Sequence, residues 1–216
     1  MSRTRRLLSG VGLTYLNIGL TTLVGLWLTR FVLHRVGQHD YGLWLLVIQL
    51  TLYLTMLDLG VVALLPRDVA LLAAKEHKDG VPGALASHVG ATVRLVLWQM
   101  PVVALSALVI WLAVPAEWLG VRQPLAIILA AFVVAFPLRA FQGILTGLQD
   151  LTFVGITTLV GWLASAATTV SLLLIGHGLS ALAAGWVIQQ LAPPIAYGLR
   201  LRRAFPSALP AALPHL

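Results

Sequence analysis

The 216-residue chain is 59% hydrophobic and only 10% charged, with a mean hydropathy of +0.94, whereas soluble domains carry about 25% charged residues. This composition excludes a soluble globular domain. The formal charge of +7 comes without a basic stripe and exposed aromatics on a polar surface, which excludes a nucleic-acid binder. The absence of cysteine removes disulfides, thiolate metal ligands and cysteine nucleophiles.

Six apolar runs occupy the chain, near 9–29, 42–64, 91–114, 125–148, 152–175 and 179–199. Each reaches the about 20 residues that a helix needs to cross a bilayer core. In hydrocarbon a chain must satisfy its own backbone, so runs of this length predict helices. The expected fold is all-α, a polytopic six-span transmembrane bundle over residues 1–203. Arg3, Arg5 and Arg6 precede the first run as they would in a signal peptide. That run is too long for an h-region and lacks a small-x-small cleavage site, so it reads as a retained signal anchor. It ends in Arg30 to Arg35, and Gly37 to Asp40 form a short turn before the second run.

The second run passes Asp58 and reaches Pro66. Residues Arg67 to Ala74 stay apolar on one side and predict an interfacial amphipathic helix. Lys75 to Gly80 form a polar loop closed by Pro82-Gly83, and further loops fall at Pro115 to Pro124 and Gly176 to Gly178. After Arg203 the tail, with Pro206, Pro210 and Pro214, reads as unstructured. Pro101, Pro137 and Pro193-Pro194 lie inside runs and predict kinked or loosened helices. The spacings Gly143/Gly147 and Ala181/Gly185 predict close helix contacts.

Alternating six spans puts Arg3, Arg5, Arg6, Arg67, Lys75, Lys78, Arg94, Arg200, Arg202 and Arg203 on one side, against Arg30, Arg35 and Arg122 on the other. Positive charge is retained in the cytoplasm, so both termini are expected there, and Glu117 and His177 outside. Asp58 and Arg139 fall within runs at similar depth, about 24 and 21 Å from the outer end at 1.5 Å per residue. They read as a structural ion pair, a gating pair or substrate contact, or as side chains snorkelling to a helix end. Asn17, Gln49, Gln142, Gln99, Gln189 and Gln190 are uncharged polar groups within or at the ends of runs, suited to a hydrophilic cavity or to hydrogen bonds between helices. No nucleophile–base constellation, phosphate-cradling glycine loop or metal-ligand spacing is present.

The segment Arg35-Val-Gly-Gln-His-Asp-Tyr-Gly-Leu-Trp44 followed by Leu57-Asp-Leu-Gly-Val-Val-Ala-Leu-Leu-Pro-Arg-Asp68 resembles the first two spans of polysaccharide flippases in the multidrug/oligosaccharidyl-lipid/polysaccharide exporter superfamily. Pro137-Leu-Arg-Ala-Phe-Gln-Gly-Ile-Leu-Thr-Gly-Leu-Gln-Asp150 is similar to the end of that family's fourth span. Val36-Gly37 departs from the family's more usual leucine-glycine. The resemblance implies one lobe of a two-lobe transporter that moves lipid-linked oligosaccharide, a polyprenyl pyrophosphate-sugar, across the bacterial cytoplasmic membrane. Family members have twelve or fourteen spans, so the expected partner is a second six-helix lobe. Either the chain is an amino-terminal piece, or a second copy supplies that lobe.

A pyrophosphate needs cationic groups to cross hydrocarbon, and a guanidinium fork matches its oxygens. Arg30 and Arg139 are the expected contacts, with Asn17, Gln49 and Gln142 along the path. No cofactor and no catalytic activity are implied. The alternatives are a cation-coupled drug exporter, which would want an acidic residue that residues 9–29 lack, and a membrane-embedded enzyme of lipid-linked sugar metabolism. The latter would need a His/Asp pair or paired carboxylates near the surface. His39-Asp40 and His77 with Asp79 are the only close His/Asp neighbours, and both lie in polar turns.

Overall fold

The computed structural model describes residues 3–79, 83–115 and 118–209. Seven α-helices make up almost all of them: α1 (Arg3–Val36), α2 (Gln38–Thr55), α3 (Val61–Asp79), α4 (Ala84–Ala113), α5 (Leu119–Gly147), α6 (Leu151–Ile175) and α7 (Leu179–Ala204). There is no strand among the described residues. Four helical segments, Gln38–Asp58, Ala84–Ala113, Gly120–Gly147 and Leu151–Ile175, are long and apolar enough to cross a membrane. Large apolar side chains face outward on these and on α1, including Leu23, Leu26, Trp98, Leu105 and Val160. An apolar exterior of this extent suits hydrocarbon as the surrounding solvent.

Helix α5 is the axis of the bundle. Half of its apolar window is buried, against 17% for those of α2 and α4. It packs mainly on α7, then on α3 and α4, while α6 lies along α7 and α1 along α6. Two apolar clusters stack along α5. One gathers Val121, Leu125, Ile128, Phe132 and Phe136 with Val47, Leu54, Val96 and Val103. The other gathers Ala140, Ile144 and Leu145 with Leu65, Val69, Val89, Tyr197 and Leu201.

Apolar side chains gain little by leaving lipid for a protein interior, so contacts here depend on how closely backbones approach. Small residues set that distance. A Cβ on Gly143 would meet the Leu65 side chain at 3.2 Å, and one on Gly147 would meet Val69 Cβ at 2.6 Å and the Pro66 carbonyl oxygen at 2.7 Å. Both pairs share one offset, so α3 and α5 run parallel, with Val61 level with Arg139. On α6, Gly161 admits Pro193, where a Cβ would lie 2.6 Å from the proline Cγ. Gly185 on α7 likewise admits Thr169 and Ser165. The close contacts expected of Gly143, Gly147 and Gly185 are therefore present.

Three expectations change. The run 42–64 is not one helix: α2 ends at Thr55, a 3-10 turn covers Met56–Asp58, and α3 begins at Val61. Leu59 and Gly60 have φ of 51° and 79°, a left-handed conformation that ends a helix. The Asp58 carboxylate accepts the Gly60 N–H, satisfying a donor the break would otherwise orphan. Second, the amphipathic helix expected over Arg67 to Ala74 is present but longer: α3 runs Val61–Asp79, so Lys75 to Asp79 are helix and not loop, and its apolar face buries Leu65 and Val69. Third, the tail is ordered as far as Leu209. Pro206–Ala208 form a 3-10 turn, and Ala208 joins the second cluster; residues 210–216 lie outside the described residues. The helices also run unbroken through Pro66, Pro101, Pro124, Pro137 and Pro193-Pro194.

Candidate functional site

Two polar features interrupt the apolar bundle. The first is a waist between the two stacked clusters. Phe136 belongs to one cluster and Ala140 to the other, so Arg139 sits at their seam on the most buried helix. Asp58 lies at the same seam, since Leu57 and Val61 pack in the first cluster and Leu65 in the second. Gln99 on α4 reaches the break in the chain: its Nε2 donates to the Asp58 carbonyl oxygen at 3.3 Å. Its Oε1 is shielded without a hydrogen-bond partner, and so is Nη1 of Arg139.

The ion pair expected of Asp58 and Arg139 is not formed. The two pairs among the described residues are His88 with Asp68 at 3.6 Å and Arg200 with Asp150 at 2.9 Å. Asp58 is instead consumed locally, because the break presents the Gly60 N–H to its carboxylate. The guanidinium of Arg139 is thereby left an acceptor short, in a place where an N–H donor is costly to leave unpaired.

The second feature is a cleft of about 230 Å³ between α1, α2, α6 and α7. All its lining residues lie within ten positions of the helix ends joined by the α1–α2 and α6–α7 turns. At 1.5 Å rise per residue the cleft is therefore confined to about 15 Å of that end of the bundle. Thr29 comes from α1, Tyr41 and Trp44 from α2, Ser165 and Thr169 from α6, and Trp186 and Gln189 from α7. No acidic or basic side chain lines it among the described residues. The two turns hold the helix pairs together: Gly37 begins α2 at φ 90°, and Gly176 and Gly178 reverse the chain at φ 94° and 53°.

The remaining expected path residues are dispersed. Arg30 is exposed on α1, one residue beyond the cleft-lining Thr29; Gln49 and Gln142 are exposed on α2 and α5. Asn17 is half-buried, and its Nδ2 donates to the Gly155 carbonyl oxygen at 3.5 Å, tying α1 to α6. No hydrogen bond or ion pair joins any two of Asn17, Arg30, Gln49, Asp58, Arg139 and Gln142 among the described residues. No group of three His, Asp or Glu able to hold a metal ion occurs among them either.

Sequence reasoning missed Ser165, Thr169, Trp44 and Trp186 as site residues. One signal for them exists: Gly161, Ser165, Thr169 and Leu173 recur every four residues and are all buried on one stripe of α6. The stripe marks an interface, and only α7 lying opposite turns part of it into a cleft wall. Near the other end, Tyr197 and Thr158 share a hydrogen bond of 2.7 Å, Phe153 stacks edge-on to Tyr197, and Arg200 lies over Phe153. That cluster ties α6 to α7. Comparison with protein-family models, with curated proteins and with solved structures gives no match to this chain.

Proposed function

We propose that this chain is a six-span lobe of a transporter that moves lipid-linked oligosaccharide across the bacterial cytoplasmic membrane, with both termini cytoplasmic. In this reading α1 and α7 cross the membrane together with the four most apolar helices, α3 packs its apolar face along the cytoplasmic end of α5, and a second six-helix lobe completes the path. The observation that carries the reading is Arg139, a half-buried arginine on the central helix whose Nη1 is shielded and unpartnered. A guanidinium kept in an apolar bundle marks a functional position. Its missing partner is best supplied by an anion, and a pyrophosphate oxygen matches the fork. Arg30, exposed next to a cleft-lining residue, is the second cationic group of the path.

The test is glycan export in cells whose surface polysaccharide depends on this chain, at matched protein levels. Arg139→Ala should abolish surface display and leave lipid-linked oligosaccharide in the inner leaflet. Arg139→Lys keeps the charge but loses the planar fork, and should be nearly as defective. Normal export by Arg139→Ala would remove the reading's main support.

A further inference from the structure

We infer that the cleft between α1, α2, α6 and α7 binds a neutral polyhydroxylated ring, a single glycosyl unit. The inference rests on the translocation reading only in taking that unit to be the sugar of the same substrate. Its own evidence begins with Ser165 and Thr169. They are only 8% and 6% exposed, one helical turn apart on α6, and both line the cleft. Neither hydroxyl has a hydrogen-bond partner among the described residues. The other buried hydroxyls are paired: Thr51 donates to the Val47 carbonyl at 2.9 Å, Thr92 to that of His88 at 3.0 Å, and the Tyr197 hydroxyl bonds Thr158 of α6 at 2.7 Å. Both oxygens lie at the wall of the cleft against Gly185 of α7, unshielded and, among the described residues, without a protein partner, and hydroxyls so placed suit a ligand that both donates and accepts.

The rest of the lining narrows the class. Gln189 adds a carboxamide that donates and accepts at once. Trp44, Trp186 and Tyr41 offer flat apolar faces with polar edges, which suit the C–H face of a pyranose while its hydroxyls meet Ser165, Thr169 and Gln189. Among the described residues nothing charged lines the cleft, which disfavours a bare phosphate or an ammonium group. An acyl chain would engage neither hydroxyl. The volume, about 230 Å³, falls below the about 300–1,000 Å³ of sites for drug-sized ligands, which suits a single ring.

The experiment uses the full chain in phospholipid nanodiscs free of glycoside detergent, titrated with methyl glucoside, glucose 6-phosphate and choline while tryptophan fluorescence is recorded. Methyl glucoside should give a saturable change that Trp186→Phe removes. The Ser165→Ala/Thr169→Val double variant should weaken binding at least tenfold, while Thr169→Ser, which keeps the hydroxyl, should bind as the parent does. An unchanged thermal midpoint in each variant separates lost binding from lost fold. Saturation by choline or glucose 6-phosphate without methyl glucoside overturns the inference, as does a methyl glucoside response unaffected by the double variant. The two readings fail separately. No glycoside binding together with Arg139-dependent export sinks the cleft assignment alone. Glycoside binding with normal export by Arg139→Ala keeps the cleft site and sinks the translocation reading.

Discussion

Gly147→Ala tests whether close backbone approach, and not apolar burial, holds α3 against α5. The added methyl would lie 2.6 Å from Val69 Cβ, 2.7 Å from Val69 Cγ1 and 2.7 Å from the Pro66 carbonyl oxygen. Two of these atoms cannot rotate away, so the helices must separate. Overpacking of this kind costs about 1–3 kcal/mol, and alanine returns up to about 1 kcal/mol in helix propensity over glycine. The net loss should be about 1–2 kcal/mol. Gly25 on α1 has nothing within 4 Å of its virtual Cβ, so Gly25→Ala carries only the propensity gain and should be neutral or stabilising. Val69→Ala in the Gly147→Ala background should recover only part of the loss, because the Cβ and the carbonyl remain. The assay is reversible unfolding in mixed micelles, with helicity followed by circular dichroism. If Gly147→Ala and Gly25→Ala shift stability in the same direction by similar amounts, the proposed α3–α5 register is wrong.

Two further outcomes are expected. Asp58→Ala removes the acceptor of the Gly60 N–H at the break between α2 and α3. It should cost about 0.5–2 kcal/mol, the range for losing a capping side chain, while Asp58→Asn keeps an acceptor oxygen and should cost less. Equal losses in the same unfolding assay would mean that charge, not the cap, matters there. For orientation, cysteine replacing His177 in the exposed α6–α7 turn should react with an impermeant thiol reagent on intact cells, and cysteine replacing the exposed Lys75 at the end of α3 should not. The reverse pattern would invert the topology. Glu117, expected on the same side as His177, lies outside the described residues.

Much of the secondary structure was legible in the chain. The helices corresponding to the third to sixth runs appear where the apolar stretches lie, and Gly176 and Gly178 end and restart helices as turn glycines should, because helix formation in an apolar run is a local matter of backbone hydrogen bonding. The close contacts of Gly143, Gly147 and Gly185 were legible as spacing. The break at Met56–Gly60 was less so. Continuous apolarity masks a turn when the residue adopting positive φ is a leucine, here Leu59 at 51°, and only the Asp58 side chain over Gly60 betrays it.

What the chain could not reveal is which stripes meet. In lipid every apolar face is equally well solvated, so hydropathy carries no information about partners, and the choice falls to shape. Shape seats Thr169 against Gly185 and Gly161 against Pro193, and so brings Ser165 and Thr169 to the wall shared with Trp186 and Gln189. It also keeps Asp58 and Arg139 at one level without pairing them, because the carboxylate is already engaged by the turn. The sequence by itself determined an all-helical chain with several membrane-length apolar helices, since backbone satisfaction depends on neighbours a few residues away. Only the tertiary structure decided the cleft and the unpartnered arginine, since each depends on atoms that packing brings together from distant parts of the chain.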